Sequence, residues 1–248
     1  MIPVFSSTYS IGKSILSLDD PTEKDDGGST SILSLLKEGD DLFLADTTMI
    51  GFPIALEKCK KYNINLRLGI ILDVNIGSSF EEDYKNDSKI IVWAKNDKGY
   101  KDLKEIYFRS MPSPKDFNLI KEAFTEDVFV AIPFYDSFLA VNALTFSSQI
   151  PDLKGVEHVF FREDHGLPFD HILKKNLESY CKRNNSEIID THSIFYETDN
   201  DVTAYQVYRC ICGRKGHGKG RKLTLSAPNL NHFGVDNFSW ESYCAKVR

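Results

Sequence analysis

The sequence lacks a long apolar run and a secretory leader. No stretch of its 248 residues approaches the roughly 18 consecutive apolar side chains of a membrane-spanning helix. Residues Met1–Ser10 contain no basic region followed by an apolar one, which is the pattern of a signal peptide. From these absences we expect a cytoplasmic protein that has no membrane partner.

Cysteine is sparse and irregularly spaced. The odd number of cysteines gives no disulfide framework in a chain of this kind. Cys210 and Cys212 are separated by one residue, whereas a zinc hairpin has about two to four residues between its ligands. The cysteines therefore indicate neither a disulfide scaffold nor a zinc site.

Glycine motifs that bind nucleotides are also missing. Neither G-x-G-x-x-G after a first strand nor G-x-x-x-x-G-K-[ST] occurs, and the GHGK at Gly216–Lys219 has neither the strand nor the spacing of a phosphate loop. No G-x-S-x-G nucleophile elbow is present. These absences argue against a dinucleotide-binding fold, a P-loop enzyme and an α/β-hydrolase.

The elements that are present alternate between strands and helices. Strand-like runs are Asp41–Ala45, Leu66–Leu72, Lys89–Ala94, Val128–Ile132, Glu157–Phe161 and Glu187–Asp190. Helix-like runs are Gly51–Tyr62, Tyr100–Ser110, Asp136–Phe146, Asp170–Lys182 and Val202–Cys212. This order is typical of parallel βαβ units in an α/β protein. Without a glycine fingerprint it favours a closed β/α barrel over an open doubly wound sheet.

Helical periodicity fades toward the C-terminus. We expect one barrel domain over residues 1–222, followed by an irregular extension over residues 223–248. The extension carries aromatic side chains that we expect to pack on the barrel or on a partner protein, namely Phe233, Phe238, Trp240 and Tyr243.

Charge is unevenly distributed along a chain whose net charge is −6. No acidic residue lies between Asp201 and Asp236, and this gap combines glycines with basic side chains. A glycine-rich basic segment brings cations and backbone N–H groups close to phosphates. The candidate DNA contacts are Arg209, Arg214, Lys215, Lys219, Arg221 and Lys222. The alternative is a solvated surface loop.

Several motifs occur in the same order as in a known family. They are IVWAKNDKGYKDL at Ile91–Leu103, FFREDHGLP at Phe160–Pro168, Tyr9–Ser10, and the segments Ala45–Gly69 and Ile188–Ile211. Together they resemble the PHP (polymerase and histidinol phosphatase) domain of bacterial DNA polymerase III alpha subunits. The resemblance runs to Cys212 and implies a distorted seven-stranded β/α (TIM-like) barrel.

The resemblance also implies a metal site, most of whose ligands are replaced here. Active family members hold two or three divalent metals with His, Asp and Glu, and they hydrolyse phosphoesters. The opening His-x-His falls on Val4 and Ser6, and only Asp46 remains of a T-D-H triplet. Other ligand positions carry Ile70 or Ile71, Lys89 or Ile90, and Phe134. Because Val, Ile and Phe cannot ligate a metal, we expect no multinuclear centre and no cofactor.

A reduced metal site is the alternative. Asp46, Asp73, Asp190 and His192 lie at or just beyond predicted strand ends, where β/α barrels gather functional residues. Such a set could hold one Mg²⁺, Mn²⁺ or Zn²⁺. In the competing interpretation Asp46 caps a turn and His192 is an interior histidine. His165, in the HGLP turn, is expected to be structural.

Three functions fit these observations. The first is a non-catalytic scaffold or accessory protein of DNA replication, a stand-alone version of the sort that phage genomes carry, with a polymerase chain as partner in the host cytoplasm. The second is a metal-dependent phosphoesterase or 3′–5′ exonuclease that works through Asp46, Asp190 and His192. The third is a factor that binds a host protein. The replaced ligands favour the first.

Overall fold

A computed structural model describes residues 1–22, 29–76, 87–111, 115–145, 148–212 and 237–247. The candidate DNA contacts Arg214, Lys215, Lys219, Arg221 and Lys222 lie outside these ranges, as does Phe233.

The described chain alternates strands and helices, as the sequence predicts. The strands are β1 Ile2–Phe5, β2 Asp41–Asp46, β3 Asn65–Asn75, β4 Asp87–Ala94, β5 Lys115–Asp116, β6 Val128–Ile132, β7 His158–Arg162 and β8 Glu187–Ile194. The helices are α1 Ile32–Leu35, α2 Phe52–Lys61, α3 Asp97–Arg109, α4 Phe117–Lys121, α5 Phe138–Thr145, α6 Asp170–Asn184, α7 Val202–Cys212 and α8 Trp240–Val247. Among these helices, none combines the length and the apolarity that crossing a lipid bilayer requires.

The strands form one hydrogen-bonded sheet in the order β2-β1-β8-β7-β6-β4-β3-β5. An additional pairing of β2 with β3 closes seven strands into a β-barrel. The expectation of a mixed α/β protein with a seven-stranded barrel is therefore confirmed.

The expectation of parallel pairing throughout is wrong for β4. This strand runs antiparallel to both β3 and β6. No described helix lies between Asn75 and Asp87, so the described chain shows no βαβ unit that would make β3 and β4 parallel. The pairings of β1 with β2, β3 with β5, β6 with β7 and β7 with β8 are parallel.

The chain divides into two compact units. The first comprises Met1–Leu66, Asp164–Leu167 and His192–Arg248, and the second comprises Arg67–Glu163 and Pro168–Thr191. In the first unit, buried side chains include those of Phe5, Leu16, Leu42, Leu44 and Phe52. In the second, they include those of Ile70, Val92, Trp93, Leu103, Ile106, Val130 and Phe160.

The A-K-N and G-Y residues of the Ile91–Leu103 motif fix the start of α3. The Asn96 side chain caps this helix by accepting hydrogen bonds from the backbone N–H groups of Lys98 and Gly99. The same side chain donates to the Asp127 carboxylate at 2.9 Å. Gly99 lies so close to Asp127 that an added Cβ would be 2.1 Å from its carbonyl oxygen. The motif therefore joins α3 to the start of β6.

The C-terminal extension is more regular than the sequence predicts. Residues Trp240–Val247 form α8, so the expectation of an irregular tail is wrong for this part. Ser239 starts the helix, because its hydroxyl accepts from the Ser242 N–H and donates to the Asp199 carboxylate. This anchor lies far away in sequence, so local periodicity could not reveal it.

We predict that Gly99→Ala lowers the free energy of unfolding by up to about 2 kcal/mol in urea denaturation, the overpacking cost less the helix gain. At a helix-interior position, alanine is more favourable than glycine by about 1 kcal/mol. The overlap with the Asp127 carbonyl, a backbone atom that cannot rotate away, costs more than this gain, since overpacking costs about 1–3 kcal/mol. Lys101→Ala, at an exposed position of the same helix, is the control. Equal stability of the two variants would contradict the prediction.

Candidate functional site

The register of β1 and β2 brings a serine next to Asp46. Val4 pairs with Phe43 and Phe5 with Leu44 in a parallel arrangement. Continuing this register places Ser6 beside Ala45 and Ser7 beside Asp46. The Ser6 hydroxyl donates to the Ala45 carbonyl at 2.7 Å. The residue where the PHP resemblance expects a metal-binding histidine therefore binds the neighbouring strand.

The Asp46 carboxylate is enclosed by donors from one loop. The side chain is inaccessible to solvent. Its Oδ1 accepts from the Ser7 N–H at 2.8 Å and the Ser10 hydroxyl at 2.6 Å, and its Oδ2 accepts from the Ser7 hydroxyl at 2.6 Å. Burial raises the pKa of Asp46, while the bonds from Ser10 and Ser7 and the charge of Lys13 act in the opposite direction. Both oxygens thus accept hydrogen bonds from the protein itself.

A second layer of hydrogen bonds holds this serine cage, formed by Ser7 and Ser10 around Asp46. The Ser10 hydroxyl accepts from the Thr47 N–H at 2.8 Å, and the Thr48 hydroxyl donates to the Tyr9 carbonyl at 3.1 Å. The segment after β1 is therefore bound to the segment after β2 at several points. The arrangement ties two chain segments together and presents no open carboxylate.

Two of the other predicted metal ligands lie on strands of the second unit. Asp73 and Asp190 belong to the second unit, and both are exposed on their strands. The Asp190 carboxylate accepts from the Arg162 guanidinium at 2.6 and 3.0 Å, and this partner holds the pKa of Asp190 below its usual range. Asp190 therefore takes part in an ion pair across β7 and β8, which the sequence does not predict.

His192 and His165 lie together in the first unit, and both are fully buried. Their ring centroids are 4.4 Å apart. The His165 ring also stacks on Phe238 at 3.8 Å, and its Nδ1 lies 2.8 Å from the Asn237 carbonyl oxygen. The Asn237 amide in turn donates to the His165 carbonyl. His165 anchors the C-terminal extension, which agrees with the structural role expected of the HGLP turn.

The described aromatic residues of the extension contact their own chain. Phe238 is buried between His165 and Phe195. Trp240 and Tyr243 are half-buried. The Trp240 ring lies 5.5 Å from that of Phe5 and stacks on Tyr243 at 5.1 Å. The sequence predicts that the aromatic side chains of the extension pack on the barrel or on a partner protein. In the structure, Phe238, Trp240 and Tyr243 contact residues of their own chain.

Arg209 is the one predicted DNA contact within the described ranges. It lies in α7, where its guanidinium donates to the Tyr205 hydroxyl at 2.8 Å and covers the Tyr205 ring at 5.6 Å. Both contacts are made one helical turn away along the same helix. They orient the arginine at the end of α7, where the predicted basic segment begins.

The residues present do not fit the metal centre that the resemblance implies. Within the described ranges, no group of three or more His, Cys, Asp or Glu side chains is placed to hold a metal ion. Asp46 is engaged by serines, and Asp190 by an arginine. Sequence reasoning missed Ser7 and Ser10, although the S-S-T-Y-S run directly after β1 is a visible signal of clustered hydroxyl donors.

Comparison of the chain with protein-family models and with curated proteins found no match.

We predict that the two substitutions of Asp46 differ sharply in their effect on stability. Asp46→Ala leaves three buried donors without their acceptor, and each such group costs about 1–3 kcal/mol. We therefore expect this variant to lose at least about 3 kcal/mol of unfolding free energy. Asp46→Asn keeps an oxygen where Ser7 N–H and Ser10 O–H converge, and its amide group faces the Ser7 hydroxyl, which can also accept. We expect a loss near 1 kcal/mol.

Urea denaturation measures both values, and Asp41→Ala, at an exposed acid of the same strand, is the control. A small loss in Asp46→Ala would show that the cage contributes little. Equal large losses in both variants would show that the charge of Asp46, and not its acceptor atoms, holds the two segments.

Proposed function

We propose that this protein is a PHP-like barrel of the DNA polymerase III alpha type that has no phosphoesterase chemistry and acts as a scaffold or accessory protein in DNA replication. The observation that carries the proposal is the serine cage around Asp46. At the strand end where the resemblance expects metal ligands, the remaining carboxylate is buried and accepts three hydrogen bonds.

The chemistry of the cage supports a role without a metal. A carboxylate that ligates a divalent cation offers oxygen lone pairs to it, and hydrolytic centres add imidazoles or further carboxylates. The Ser7 and Ser10 hydroxyls, which follow the positions of the opening His-x-His in the chain, donate to Asp46, so their geometry competes with a cation for the same oxygens. A metal would have to displace several buried hydrogen bonds before it could bind.

The role in replication rests on the family resemblance and on the basic segment. In this proposal the barrel contacts a polymerase chain, and Arg209 with Arg214, Lys215, Lys219, Arg221 and Lys222 contacts the phosphates of DNA. Such contacts are electrostatic and carry no sequence preference. The proposed contacts to a protein partner in the tail are Phe233, Trp240 and Tyr243, whereas Phe238 is buried against its own chain. Trp240 and Tyr243 would contact the partner through the parts of their half-buried side chains that remain accessible.

We predict that the purified chain retains far less than one metal ion per molecule. The protein is incubated separately with Mn²⁺, Zn²⁺ and Mg²⁺, freed of excess ions and measured by elemental mass spectrometry, and hydrolysis of a phosphodiester is assayed in parallel. One bound ion per chain, lost together with hydrolysis in Asp46→Asn or His192→Ala, would overturn the proposal in favour of a metal-dependent phosphoesterase. Asp41→Asn, at an exposed position of β2 outside the candidate ligand set, is the matched control.

We also predict salt-sensitive binding to duplex DNA through the basic segment. Replacing Arg214, Lys215, Arg221 and Lys222 with Gln should weaken binding at low salt and flatten its salt dependence, because fewer counterions are released. Fluorescence anisotropy with a labelled duplex measures both effects. Replacing lysines of α6, Lys174, Lys175 and Lys182, together with Arg183, removes the same charge elsewhere and should change little. No binding by the parent protein at low salt would favour a factor that binds a host protein instead.

A further inference from the structure

Helix α3 exposes an aromatic side chain that folding leaves uncovered. Phe108 is 80% exposed, the most of any large apolar side chain in the described part of the chain. The opposite face of α3 is buried through Leu103 and Ile106 and is held at its start by Gly99. The position of the helix is therefore fixed without Phe108, so the fold gives no reason for an aromatic ring at this site.

Two lysines share the outward face with Phe108. Lys101 and Lys104 precede it by seven and four residues, which places all three on one side of the helix. Both lysines are exposed, and among the described residues neither forms an ion pair. The Lys104 Nζ lies 4.7 Å from the centre of the Tyr100 ring, which supports the lysine from one flank. We call Lys101, Lys104 and Phe108 the α3 stripe.

Acidic side chains near the α3 stripe are partly offset by neighbouring positive charge, while Asp102 accepts a hydrogen bond from the Thr125 hydroxyl at 2.6 Å. Glu105 accepts hydrogen bonds from Arg109 at 2.6 and 3.1 Å, and Asp127 accepts one from Lys98. Asp97 stands at the first turn of α3, where the positive end of the helix dipole offsets its charge. The stripe therefore presents two positive charges and one flat apolar ring over about 10 Å of helix.

A polyanion with exposed aromatic faces complements this combination. Single-stranded nucleic acid offers unpaired bases that stack on aromatic rings and phosphates that attract lysines. A duplex keeps its bases stacked inside, and an acidic peptide would use the lysines and leave the ring uncovered. We infer that the α3 stripe binds single-stranded nucleic acid, with one base on Phe108 and adjacent phosphates at Lys101 and Lys104.

This inference goes beyond the proposed function, because it rests on the side chains of α3 and not on the family resemblance or the basic segment. The basic segment binds phosphates of either duplex or single strand by charge, whereas the α3 stripe adds a stacking contact that only a single strand can use. The two sites are therefore separable by strand preference.

The test is fluorescence anisotropy of the full chain with a labelled oligo-dT and with a duplex of equal length, over a range of salt. We expect Phe108→Ala to weaken oligo-dT binding on the order of tenfold and to leave duplex binding unchanged. Phe108→Tyr keeps the ring and should restore binding. Lys101→Glu with Lys104→Glu should reduce the salt slope for oligo-dT by about 1.4, at about 0.7 for each phosphate contact.

The matched control is Lys175→Glu with Lys182→Glu, two exposed lysines of α6 that are also seven residues apart. Oligo-dT binding that is equal in the parent and in Phe108→Ala would overturn the inference, even if duplex binding and the metal measurement agree with the proposed function. A dimer in sedimentation that Phe108→Ala dissociates, without oligo-dT binding by the parent, would overturn it in favour of a second copy covering the ring. Because Phe108 is exposed, unchanged circular dichroism is expected for each variant. If the alanine variant unfolds, Phe108→Leu, which keeps an apolar side chain and removes the ring, decides the matter: binding of oligo-dT equal to that of the parent would overturn the inference.

Discussion

A carboxylate with no access to water has to be satisfied by the protein around it, and Asp46 places this constraint on the ends of β1 and β2. The loop after β1 meets the constraint with one backbone N–H group and two hydroxyls. These donors reach the carboxylate because the parallel register carries Ser7 alongside Asp46. The loop conformation, the register and the burial of the charge therefore depend on one another, since loss of any one leaves polar groups buried without partners.

Strand and helix positions were predictable where local periodicity decides them. The patterns at Val128–Ile132 and Asp170–Lys182 predict β6 and α6 to within a few residues. The direction of β4 was not predictable, because hydrophobic periodicity describes a single strand and carries no information on the direction of the neighbouring strands. Helix α8 was missed for a related reason: its start depends on the bond between Ser239 and Asp199, which are distant in sequence.

The candidate site was also predictable from the sequence only in part. If the family resemblance holds, Val4 cannot replace an imidazole as a ligand, and Asp46 remains of the expected set. It does not show what Asp46 does, because the partners of a buried carboxylate are set by tertiary contacts. The pairing of Asp190 with Arg162 is equally non-local, since two adjacent strands bring these side chains together from distant parts of the chain. In the structure, the possible ligands therefore take part in different contacts: Asp46 in the serine cage, Asp190 in an ion pair, and His192 beside the buried His165.

The two sides of α3 differ in what specifies their residues. The inner side is specified by folding: Asn96 caps the helix, Gly99 allows close contact with Asp127, and Leu103 and Ile106 are buried. Substitutions there disturb the fold. On the outer side, Phe108 is 80% exposed and packs little against the rest of the chain. In the inferred complex with a single strand, a base covers this ring and phosphates pair with the two lysines, so the ligand supplies the apolar face and the negative charge that complement the surface.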